Sequence, residues 1–148
     1  MKAPQTELTT RMQRPAELDL PRVLVAAPSD AASFSIAHAL RDAGYVVRTT
    51  VTGADTFRGL RNHRAVELFV LDGCERPRSV AATIEAVRAM NWALPIILIA
   101  PPDPELHAEA NRLGVEAILE APVAPDEIRR AATRLVPVVP EAELDLAG

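Results

Sequence analysis

Five short apolar runs, each followed by a stretch with helical spacing, dominate the chain between residues 21 and 136. Arg22–Ala27 (RVLVAA) is rich in β-branched and small apolar residues and stops at Pro28, as a strand covered on both faces does. Ser29 or Asp30 then supplies a helix cap, and Gly44 supplies the left-handed stop after Ala43. The unit recurs. Tyr45–Val51 reads as a strand and Ala54–His63 as a helix; Glu67–Asp72 (ELFVLD) is a strand and Ser79–Met90 a helix. Pro95–Ala100 (PIILIA) precedes a helix opened by Asp103, Pro104 and Glu105 and stopped by Gly114. Ala117–Ala121 and a helix from Pro125, ending before Pro137, complete the series. Strict alternation of this kind predicts an α/β fold, a doubly wound five-stranded parallel sheet with helices on both faces.

The ends of those strands are where chemistry is to be sought, because ligands in open parallel sheets gather beyond the C-terminal strand edges. Those positions are Ala27–Asp30, Asp72–Pro77, Ala100–Asp103 and Ala121–Val123. No glycine-rich phosphate loop follows the first strand, which argues against a nucleotide-binding protein of similar topology.

Length and composition narrow the partners. A chain of 148 residues holds one domain with a core of its own. No apolar run approaches the ~20 residues of a membrane-spanning helix. Residues 1–20 have no apolar signal core either, so a cytoplasmic protein with no membrane insertion is expected. That leader, rich in proline, threonine and charge, reads as flexible; residues 21–136 form the domain, and residues 137–148 an acidic tail. The net charge is −4 and aromatic residues are 3% of the chain, which argues against nucleic acid on electrostatics and stacking alike. Cys74 is the only cysteine, so neither a disulfide within the chain nor a thiolate metal site is expected. His38, His63 and His107 share no ligand-like spacing, and no metal or other cofactor is expected from them. Fifteen of the sixteen basic residues are arginine; the sole lysine is Lys2.

The phrases PRVLV, LRDAGYVVRT, ELFVLD, LPIILIA, RLGVEAILEAPV and PDEIRRA, in that order and spacing, resemble the receiver domains of bacterial response regulators over about three quarters of the chain. The resemblance implies a flavodoxin-like sheet of strand order 2-1-3-4-5. It also implies positions for a phosphorylation site: an acidic metal-binding pair after the first strand, a phosphoacceptor aspartate ending the third, a hydroxyl ending the fourth and a lysine before a proline ending the fifth. On this chain the pair falls on Ala27 and Pro28, the acceptor on Asp72, the hydroxyl on Ala100 and the lysine on Ala121, with Pro122 kept. Only Asp72 has the expected chemistry. Phosphoryl transfer depends on positioning and charge neutralisation, and magnesium needs hard oxygen ligands, so the resemblance implies a degenerate member, a pseudo-receiver. The aromatic switch residue of the family aligns with Ile118.

Two functional readings follow. The leading one is a stand-alone pseudo-receiver, not an enzyme, acting as a phosphorylation-independent protein–protein interaction module in bacterial signalling or regulation. The alternative is an atypical single-domain response regulator still phosphorylated on Asp72 by a histidine kinase partner. Under either reading the partner is a signalling or regulatory protein, with a homodimer as a further candidate.

Docking candidates come from helix faces. At about 100° per residue, Phe34, His38 and Arg41 share the face opposite Ile36, Leu40 and Ala43, which leaves a phenylalanine pointing outward. On the last helix Arg130 and Arg134 project away from an inner stripe of Ile128, Ala132 and Leu135. Receivers use the first surface for kinases and the later one for output or self-association. The phrase AELDL occurs at Ala16–Leu20 and again at Ala142–Leu146, as two acidic amphipathic pentapeptides.

Overall fold

A computed structural model of the chain describes residues 20–52, 54–62 and 65–138. The leader up to residue 19, the tail from residue 139 and His63 lie outside the described residues. Eleven elements alternate: β1 (Arg22–Ala27), α1 (Asp30–Asp42), β2 (Val46–Val51), α2 (Ala54–Asn62), β3 (Val66–Asp72), a 3-10 turn (Pro77–Ser79), α3 (Val80–Met90), β4 (Ile96–Ala100), α4 (Pro104–Arg112), β5 (Ala117–Glu120) and α5 (Pro125–Leu135). The five strands pair in parallel in the order β2-β1-β3-β4-β5. The predicted fold is the one observed.

Local chemistry sets the boundaries. Ser29, in extended backbone, accepts the Ala32 amide and caps α1, which leaves Asp30 as a favourable charge in the first turn. Asp103 caps α4 through the amides of Glu105 and Leu106. Gly44 and Gly114 take φ of 102° and 80°, the left-handed region that glycine enters without steric penalty. Several expected bounds move by one residue, and the helix expected from Ser79 begins at Val80, because Pro77–Ser79 winds into a 3-10 turn first. Its proline presets φ for the turn.

The central strands are buried on both faces and split the core by residue parity. Val23, Val25, Leu68, Val70, Ile97 and Ile99 face α1 and α5, meeting Ile36, Leu40, Ile128 and Ala132. Leu24, Ala26, Phe69, Leu71, Ile96 and Leu98 face the other layer, meeting Val80, Ile84, Val87, Leu106 and Ala110. Burial of a whole leucine or isoleucine side chain stabilises by about 1.5–3 kcal/mol, so this double-sided sheet is the main source of stability. It also holds the upper ends of β1, β3 and β4 side by side. Ala26 pairs with Leu71, and Asp72 with Ile99, which sets Ala27, Asp72 and Ala100 along one edge.

Candidate functional site at the C-terminal strand edge

Asp72 ends β3 at that edge, half-buried. Its Oδ1 accepts the Cys74 backbone amide at 3.1 Å. This is the loop-amide role that an aspartate at a strand end commonly takes. The next residue, Gly73, leaves no room: a Cβ there would sit 2.5 Å from Val80 Cγ2 and 3.2 Å from Leu98 Cδ1. The absent side chain lets β3 turn over α3.

A small cavity of about 100 Å³ opens beside Asp72, between Pro28, Thr52, Leu71, Gly73, Arg76, Ser79, Val80 and Thr83. Pro28, one of the two positions at which the receiver resemblance implies an acid, carries no charge. Ala100 is fully buried, and Ala121 is packed against the core, so neither position offers a hydroxyl or an ammonium. Asp30, the acid nearest in sequence to Ala27 and Pro28, lines a separate hollow with Thr49, Thr50, Asp55 and Arg58 and does not share the Asp72 cavity. The only charged side chain that joins Asp72 among the cavity-lining residues is Arg76, a cation. Arg76 lies in the stretch Asp72–Pro77 marked from the sequence but is not singled out there; it stands immediately before the 3-10 turn, which no local pattern announced.

The donor set does not fit magnesium. A hard divalent cation takes carboxylates and other oxygens in an octahedral shell, and here one carboxylate shares its cavity with a guanidinium. Among the described residues no cluster of three or more His, Cys, Asp or Glu could hold a metal ion. Cys74, half-buried, has its thiol pushed up to about 11, first by burial and then by the negative charge and hydrogen bond of Asp72. A thiol so shifted is a poor nucleophile at neutral pH.

The α1 candidates are placed as follows. Phe34 is 71% exposed, and its ring stacks on His38 with centroids 6.2 Å apart and planes 7° from parallel. His38 Nε2 lies 3.5 Å from Asp42. Arg41 is exposed on the same side, but its guanidinium turns to the edge strand and donates to the Val47 carbonyl at 3.0 Å. The structure therefore joins Phe34 and His38 and diverts Arg41. Arg130 and Arg134 are exposed on α5, over the predicted inner stripe. Ile118 is half-buried against the α3 and α4 layer.

A further surface escaped the sequence. Trp92, the only tryptophan, is 82% exposed, with Met90 beside it in sequence also exposed. The loop that carries it is clamped by Arg88, which donates to the carbonyls of Trp92, Leu94 and Gly114 and pairs with Glu116 at 2.9 Å. Glu116 in turn accepts the Ile96 amide at 2.8 Å. Arg88 and Glu116 are 28 positions apart, so only the folded chain brings them together.

No family model matches the chain, and no curated protein matches it in sequence. Solved structures do. A chemotaxis protein of Vibrio cholerae is 22% identical, with a TM-score of 0.71 over 79% of this chain and 99% of that one. A response regulator of Thermotoga maritima is 18% identical, with a TM-score of 0.71 over 80% of this chain and 99% of that one. A putative pilus assembly protein of Burkholderia thailandensis is 26% identical, with a TM-score of 0.66 over 78% of this chain and 98% of that one. The structural neighbours are thus largely response regulator receiver domains, and this chain shares their fold.

Proposed function

We propose that the chain is a pseudo-receiver: a receiver-fold module of bacterial signalling or regulation that binds a protein partner without being phosphorylated and without catalysing turnover. The observation that carries this reading is the makeup of the Asp72 cavity. Its carboxylate is engaged by the Cys74 amide, its neighbouring positions are Pro28, Ala27, Ala100 and Ala121, and its one charged companion is Arg76. A phosphoryl acceptor site needs anionic metal ligands and a cation aimed at the transferred oxygens. Neither Ala27 nor Pro28 supplies the first.

The binding face is α1. Phe34 is a large aromatic, mostly exposed, with its ring stacked on His38. Aromatic anchors of this kind carry much of the energy of protein interfaces. The receiver fold of the neighbours supports a partner from a signalling system.

One observation favours the second reading, an atypical response regulator phosphorylated on Asp72 by a histidine kinase. Arg76 lines the same cavity and offers a positive charge to a phosphoryl group. Capture from bacterial cytoplasm with the wild-type chain, Asp72→Ala and Phe34→Ala separates the two. Under the proposal, wild type and Asp72→Ala retain one and the same protein and Phe34→Ala loses it. Loss with Asp72→Ala at unchanged melting temperature supports the second reading instead.

A further inference from the structure

The sheet ends on two edge strands of different length. β5 has four residues, and a short edge offers little to pair with. β2 has six, Val46–Val51, with β1 on one side only. Its even-numbered residues turn toward β1, since the Val46 amide donates to the Pro21 carbonyl and the Thr52 amide to the Ala27 carbonyl. Val47, Thr49 and Val51 therefore turn their amides and carbonyls outward, the row of backbone groups that makes an edge strand a template for another strand. Side chains take two of those three carbonyls. Arg41, in the last turn of α1, donates to Val47 at 3.0 Å, and the Thr56 hydroxyl, on α2, donates to Val51 at 3.5 Å. Thr56 is fully buried, whereas Arg41 reaches its acceptor from the surface.

The edge is complementary to itself. Laid antiparallel on a second copy about Thr49, it sets Val47 opposite Val51, Thr49 opposite Thr49 and Arg48 opposite Thr50. The first two are β-branched pairs, which stabilise cross-strand contacts, and no two arginines stand directly opposite. Val51, an exposed valine in the single chain, gains an apolar neighbour. In this register the Val47 carbonyl would accept the Val51 amide of the second copy, and the Val51 carbonyl its Val47 amide. Those are the two carbonyls already engaged. A guanidinium 3.0 Å from the Val47 carbonyl also stands in the space that an added strand, about 4.8 Å away, has to fill.

We propose that Arg41 guards the β2 edge against a second copy of this chain. With the guanidinium on Val47 the edge takes no strand; without it, two copies pair antiparallel through β2 about Thr49. The inference stands apart from the phosphorylation state of Asp72 and from the docking role of Phe34.

Sedimentation velocity and amide hydrogen exchange of the full chain, over a range of concentrations, test this. Arg41→Ala is expected to dimerise as concentration rises, with exchange slowing at the Thr49 and Val51 amides. Arg41→Met keeps the apolar stem and has no donor, and the same dimer is expected from it. Thr49→Pro removes an outward amide that β1 does not use, at an edge position where proline is tolerated. Added to either variant, it is expected to restore the monomer. Wild type is expected to show Thr49 exchange independent of concentration. Either Arg41 variant, folded by its melting transition and monomeric throughout, overturns the proposal. So does a dimer that survives Thr49→Pro, because it is built on another surface. Concentration-dependent protection of Thr49 in wild type overturns it as well, since the edge is then open with Arg41 in place.

Discussion

The Cys74 amide donates to Asp72 Oδ1 across 3.1 Å, and the same carboxylate raises the Cys74 thiol, so the two residues form one local unit at the end of β3. Burial is the larger cause of the thiol shift and the Asp72 charge the next. Asp72→Asn keeps an oxygen for the amide and removes the charge. The pH profile of iodoacetamide alkylation is expected to show an inflection near 11 in the wild type and a lower one in Asp72→Asn. An unchanged inflection shows that Asp72 does not act on the thiol.

The same shift has a sign for stability. A thiol raised from 9.0 to about 11 stays protonated in the folded chain while the unfolded chain ionises. Its contribution is complete below about pH 9 and is lost as pH rises toward 11. Urea unfolding across that window is expected to show falling stability, with a smaller fall in Cys74→Ser. Equal slopes in both proteins contradict the assignment.

Gly73 should be intolerant of a side chain for a reason that can be repaired. Gly73→Ala drives its methyl into Val80 Cγ2, and overpacking of a tight core costs about 1–3 kcal/mol. Gly73→Ala with Val80→Ala is expected to recover part of that loss, giving a non-additive double-mutant cycle in denaturant. Additive losses rule out the contact as the cause.

Arg88 is expected to matter for the far end of the sheet and not for the Asp72 edge. Its side chain is 17% exposed and serves three carbonyls and Glu116. Arg88→Ala leaves those acceptors unpaired, at about 1–3 kcal/mol, and frees the loop of Trp92. A lower melting temperature together with lower Trp92 fluorescence anisotropy is the expected result. Unchanged anisotropy means that the loop is held by other contacts.

For the docking face, Phe34→Ala is expected to weaken partner binding by more than about 1 kcal/mol while the melting temperature holds, because the ring is 71% exposed. Normal binding by Phe34→Ala, with loss in Arg130→Ala plus Arg134→Ala, moves the docking site to α5.

The fold was legible because its punctuation is local. Ser29, Gly44, Asp103 and Gly114 act within a few residues of themselves, and the parity of RVLVAA and PIILIA is carried by the strand period. Asp72 was legible as a strand-end acid for the same reason. What the sequence could not carry is long-range, as with Arg88 meeting Glu116, or depends on a local turn without a sequence signature, as with Arg76 lining the Asp72 cavity just ahead of the 3-10 turn. Arg41 misled in a related way, since helical spacing gives the face of a residue but not the Val47 carbonyl that draws its guanidinium aside.

The central claim is that the Asp72 edge does not take a phosphoryl group. The most direct measurement is an amide NMR titration of the full chain with magnesium and beryllium fluoride. Pro28 and Ala27 stand where anionic metal ligands are required, and Asp72 shares its cavity with Arg76. The spectrum is therefore expected to stay unchanged around Asp72, Cys74 and Ala100 at every concentration. Saturable, magnesium-dependent shifts at those residues, abolished by Asp72→Ala, would contradict the account.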